Sequence, residues 1–176
     1  MLNIINSALL GLNGLKPFFE DCYRRISVRE YSRLRGMSPP TASKTLAEYS
    51  KSGLLLAEKD RNYIFYYANR ENRNFIDLSR IYWRERLSEV IEYLERSLLS
   101  PTIILFGSLS KAESKEDSDI DLCILASKKE INLSGFERKL KRKLEIFYFD
   151  SIRDIKNREL ANNIINGYVL RGKIRS

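Results

Sequence analysis

With 176 residues, 43% of them hydrophobic and 31% charged, and a formal charge of +8, the chain has room for one domain or two small ones with a soluble surface. No apolar run approaches the ~20 residues of a membrane span, and the lack of any histidine excludes His-based acid–base catalysis and the usual zinc sites. Cys22 and Cys123 read as reduced, buried thiols, and the apolar start has no basic residue before Lys16, so a secretory leader is not expected and the cytoplasm is the expected compartment.

Residues Asn3 to Leu12 have helical spacing, which Asn13-Gly14 is expected to break. Pro17 then suits the first turn of a short helix from Lys16 to Asp21. Ser27 and Glu30 make a capping-box pattern for a helix to about Arg35, with Val28, Tyr31 and Leu34 on one face and Gly36 as its stop. Ser38 opens the next helix, with Pro39 and Pro40 where a missing amide costs nothing. It runs through Lys51, turns Ala42, Thr45, Leu46 and Tyr49 inward, and closes at Gly53. The following LLLAEKDRNYIFYYAN reads as strand, turn at Asp60-Arg61-Asn62, and strand, with Tyr63, Phe65 and Tyr67 on one face.

Helix, helix-turn-helix and hairpin in this order, over about residues 3–70, resemble the winged-helix DNA-binding domain, most of all in SPPTASKTLAEYSKSGLL. The resemblance implies that the second helix of the pair enters the major groove of double-stranded DNA. Thr41, Ser43, Lys44 and Ala47 would face outward on it, and Arg61 would sit at the wing tip near a phosphate or the minor groove. Residues 23–70 carry ten Lys/Arg against four Asp/Glu, a net +6 that suits a polyanion-binding face. The competing readings are a basic surface that only aids solubility, and a winged helix used for protein contacts.

From 71 to 99 apolar residues recur at helical spacing, from Phe75 and Leu78 to Leu94 and Leu98, with a phase shift near Arg84–Arg86. One long kinked helix, or two, should end before Ser100-Pro101. The aromatic residues here, Tyr82, Trp83 and Tyr93, read as packing, with Trp83 a candidate contact in a homodimer.

The stretch TIILFGSLSKAESKEDSDIDLCIL, Thr102 to Leu125, carries the chemistry. An apolar run ends at Gly107-Ser108, and after ten residues Asp119-Ile120-Asp121 opens a second run. On a strand, alternation places Asp119 and Asp121 on one face about 7 Å apart. Carboxylates so placed can share divalent cations, and Gly-Ser at a strand-to-helix turn, with the helix candidate at Leu109–Glu113, lets backbone amides approach phosphate.

Gly107-Ser108, the spacer, and Asp119-x-Asp121 before a strand resemble the minimal nucleotidyltransferases of the polymerase-beta-like superfamily, over roughly Thr102 to Gly172. That family places a third carboxylate on the next strand, which the resemblance carries to Glu145 in LEIFYF, where Asp is usual. It implies Mg²⁺ at Asp119, Asp121 and Glu145, phosphates of ATP or another NTP at Gly107, Ser108 and Lys111, and a hydroxyl acceptor on a toxin protein, a tRNA or a small molecule. The family usually has Ala-Arg-Gly after the Gly-Ser; this chain has Ser110-Lys111-Ala112, and Lys lacks the bidentate fork of Arg.

Further on, Ser134 to Lys143 reads as a basic helix whose Arg138, Lys139, Lys141, Arg142 and Lys143 form a solvated face or an electrostatic trap for anions. Strand Leu144–Phe149, helices near Ser151–Lys156 and Arg158–Asn166, and a short last strand or tail at Tyr168–Leu170 complete the chain. The expectation is an α+β protein: a winged helix-turn-helix over 1–70, a helical connector over 71–99, and over 100–176 a small mixed β-sheet with helices on one side. The expected function is Mg²⁺-dependent nucleotidyl transfer, AMP from ATP by default. The competing functions are a DNA-binding transcription regulator whose second domain senses nucleotide or is inert, and an antitoxin-like binding module without chemistry.

Overall fold

The computed structural model describes residues 12–174. The helix expected at Asn3 to Leu12 lies, but for its last residue, outside them. Two compact units emerge: residues up to Leu78 together with Ala112–Glu116, and Ser79–Lys111 together with the chain from Asp117 onward.

In the first unit, helix α1 is described over residues 12–20 and runs unbroken through Asn13, Gly14 and Pro17. The expected break is absent because burial of Leu15, Phe18 and Phe19 outweighs the roughly 1 kcal/mol helix penalty of a glycine. Gly14 is there for a close approach: a Cβ on it would lie 2.0 Å from Tyr49 Oη, and its carbonyl accepts the Tyr31 hydroxyl at 2.9 Å.

Strand β1 (Ile26–Ser27) leads into α2 (Val28–Arg35), where the Ser27 hydroxyl accepts the Glu30 amide at 3.3 Å. The capping box is only half formed, since the Glu30 carboxylate turns to Arg24 at 2.7 Å. Helix α2 buries Tyr31 and Ser32, while Leu34, expected on the same face, is 46% exposed. Gly36 ends the helix at φ 61°, and α3 (Pro39–Lys51) follows with Ser38 as its N-cap and Ala42 and Leu46 fully buried. Strands β2 (Leu55–Asp60) and β3 (Tyr63–Ala68) form the hairpin around Arg61-Asn62, in a sheet of order β1-β3-β2. Tyr66 and Ala68 point to the core; Tyr63, Phe65 and Tyr67 occupy the outer face, where Arg25 lies over the Phe65 ring.

The expected phase shift is a break between α4 (Arg73–Arg86) and α5 (Ser88–Ser97) at Leu87. Trp83 is 1% exposed and sits under the Arg142 guanidinium, so it offers no face to a second copy. In the second unit, β4 (Thr102–Phe106), β5 (Ile120–Leu125), β6 (Leu144–Phe149) and β7 (Tyr168–Arg171) form a mixed sheet of order β6-β5-β4-β7. The β5–β6 pair is parallel, and β4 is antiparallel to both β5 and β7.

Between strands lie α6 (Gly107–Ser110), α7 (Ser134–Leu140), a 3-10 turn at Ile152–Asp154, and α8 (Arg158–Ile165). Helix α6 starts at Gly107, before the expected Leu109, and it cannot run on to Glu113 because Ala112 takes a left-handed φ of 56°. Helix α7 ends short of Lys143 because Lys141 turns left-handed at φ 56°. One face of the sheet packs Ile104, Phe106 and Cys123 against Ile155 and Ile164. The alternate residues Ile103, Leu105, Leu122 and Ile124 are also fully buried, so both faces of the central strands are covered rather than one. Such continuous apolar runs are what two-sided burial requires. Among the described residues, no helix is long and apolar enough to cross a membrane.

Candidate active site

The parallel register of β5 and β6 places Asp121 directly beside Glu145. Asp119, immediately before β5, follows on the same side by strand alternation. Across β5 on its other edge, Asp121 pairs with Phe106, the last residue of β4, and Gly107 follows. Gly107 has φ 68°, and a Cβ built there would lie 2.1 Å from Asp121 Oδ2. Glycine is thus required twice over: for a left-handed backbone, and to leave the Asp121 carboxylate its space.

Electrostatics marks the same spot. Burial first, then the Glu145 charge, then the Asp119 charge push the Asp121 carboxyl from its ordinary 3.8 up to about 6. Among the described residues no basic side chain is paired with any of the three carboxylates. Like charges assembled without a counterion are a donor set suited to a hard divalent cation. They form an open acidic face and not a closed cage: among the described residues no three His, Cys, Asp or Glu side chains make a ready metal cluster.

The surrounding loops are held by polar contacts that sequence inspection passed over. Lys111, expected as a phosphate contact, donates from Nζ to Asn163 Oδ1 of α8 at 2.9 Å. Arg80 Nε donates to the Ser110 carbonyl at 2.8 Å, and Ser110 Oγ to the Gly107 carbonyl at 2.9 Å. Arg142, read as part of a solvated face, donates to the Ser118 carbonyl at 2.5 Å and so fixes the residue before Asp119. The Ile120 amide donates to the Lys143 carbonyl at 2.9 Å, tying the start of β5 to that of β6. A hint for Asn163 was available: Asn162-Asn163 falls between the apolar pairs Leu160-Ala161 and Ile164-Ile165 of the helix, where Asn is a poor helix former. Nothing local marked Arg142 out from its basic neighbours.

Thr41, Ser43, Lys44 and Ala47 are all exposed on α3, and Arg61 is exposed at the hairpin tip with φ 53°. The Thr41 hydroxyl is engaged with Ser38 Oγ at 2.8 Å, so it is committed to the helix cap. These residues belong to the first unit and the carboxylates to the second.

Residues 88–174, which span α5 and the whole four-stranded sheet, match the family model described as Polymerase beta, Nucleotidyltransferase. That stretch is similar to the nucleotidyltransferase domains of this family, and nucleotidyl transfer is the general function the match supports. No curated protein and no solved structure matches the chain.

Proposed function

We propose that the chain moves AMP from ATP onto a hydroxyl of a protein or RNA acceptor, and that its first unit is a winged-helix module for double-stranded DNA. The first part is supported above all by the register pair Asp121–Glu145 beneath Gly107. Asp119, Asp121 and Glu145 would hold Mg²⁺, which when bound supplies charge neutralisation to the triphosphate and to the departing pyrophosphate. Gly107 and Ser108 offer amides and a hydroxyl to the β- and γ-phosphates, and Lys111, steadied by Asn163, adds positive charge. Glu145 is exposed on the edge strand β6, where a bulky acceptor can reach it. It accepts the proton of the acceptor hydroxyl as that oxygen attacks the α-phosphorus. The bond to the β-phosphate oxygen breaks in line, and pyrophosphate leaves.

The DNA reading is supported by the exposed Ser43, Lys44 and Arg61 and by the net +6 of residues 23–70. A second reading of the site, as a nucleotide sensor without transfer, is favoured by Glu145 standing where similar proteins usually carry Asp. The test is incubation with Mg²⁺ and α-labelled ATP in a lysate of the source cell. Label should pass to a discrete protein or RNA band and vanish with Asp119→Ala/Asp121→Ala. A silent wild type with an active Glu145→Asp would establish the sensor instead.

A further inference from the structure

The loop that joins Gly107-Ser108 to Asp119-Asp121 is divided between the two units. Its ends belong to the second unit, but Ala112–Glu116 packs as part of the first. The anchor is Ser114, whose side chain is fully buried. Its hydroxyl donates to the Phe19 carbonyl at 2.7 Å, and its carbonyl accepts the Cys22 amide at 2.8 Å. With its one proton spent on Phe19, the Ser114 oxygen is left to accept the Cys22 thiol at 3.4 Å. Around this clamp, Ala112 is fully buried at φ 56°, Phe19 packs on Phe75 at 5.1 Å, and Lys115 lies over the Tyr23 ring. Along the chain the clamped segment is short of the site on both sides: Lys111 lies one residue before Ala112, and Asp119 three after Glu116.

We infer that Ser114 is a positioning residue of the nucleotide site, and that through it the end of α1 and nucleotide binding are thermodynamically linked. The inference rests on the nucleotidyl-transfer reading of Gly107, Asp119 and Asp121. Because linkage is reciprocal, a nucleotide that needs the loop in its clamped form must tighten the clamp by the same factor by which the clamp tightens nucleotide. One buried hydrogen bond is worth about a five- to tenfold change in an equilibrium constant.

The experiment uses the full chain, Mg²⁺ and the non-transferable analogue α,β-methylene-ATP. Ser114→Ala, which removes one oxygen and no volume of consequence, should raise the Kd about five- to tenfold. In the wild type, saturating analogue should slow exchange of the Cys22 amide by a like factor, a measurement that needs no variant and no turnover. Leu46→Val, a conservative change in the α3 core far along the chain from the loop, should leave the Kd unchanged. An unaltered Kd in folded Ser114→Ala, or a Cys22 amide indifferent to bound analogue, overturns the linkage. A wild type that binds no analogue at all refutes the nucleotide reading on which it stands.

Discussion

Asp121→Asn replaces the most perturbed carboxyl of the site by a neutral isostere, and it should make the folded protein more stable at neutral pH. Burial and the Glu145 and Asp119 charges raise the Asp121 pKa from 3.8 to about 6. A folded-state pKa above the unfolded value means the favourable contribution is whole below pH 4 and is lost as pH rises through 6. At pH 7.5 the ionised group therefore opposes folding. Taken in full, a shift of about 2 units corresponds to roughly 3 kcal/mol; the carboxylate is half-buried and salt screens it, so about 1–2 kcal/mol is expected. Trp83, the sole tryptophan, is buried within the unit that holds Asp121 and reports its unfolding by fluorescence. With a urea slope of about 1–3 kcal/mol/M, Asp121→Asn should raise the midpoint by about 0.5–1 M at pH 7.5 and by little at pH 4. Mg²⁺ should stabilise the wild type and not the variant. A variant no more stable than wild type at pH 7.5, or an advantage that persists undiminished to pH 4, would refute the assembly of three like charges.

Gly107→Ala should lose nucleotide binding and about 1–3 kcal/mol of stability, because its methyl group meets Asp121 at 2.1 Å on a left-handed backbone; urea titration with analogue binding checks both. Glu145→Gln should lower turnover ~10²–10⁴-fold while the Kd for Mg²⁺-nucleotide barely moves, measured by initial rates beside equilibrium binding. Lys44→Ala with Arg61→Ala should reduce the salt slope of duplex-DNA binding by about two; wild-type protein that binds no duplex at 50 mM salt would point the module to protein contacts.

The sequence alone located the candidate site, since Gly107-Ser108 and Asp119-x-Asp121 are local signals whose strand periodicity and spacing lie within one stretch of chain. It also supplied the helix caps at Ser27 and Ser38 and the break near Arg86, each set by residues a few positions apart. It misjudged Gly14, because the reason for that glycine is Tyr49, thirty-five positions away. Only the tertiary structure set Glu145 beside Asp121, through a parallel register that no local pattern encodes. Arg142 and Asn163 acquired roles in the same way, as partners of Ser118 and Lys111 brought near by strand order. Ser114, polar and in a loop, carried every local mark of solvent exposure. Its burial was decided by where α1 ends, and hydrogen bonds over such sequence separations leave no trace in the periodicity of either partner.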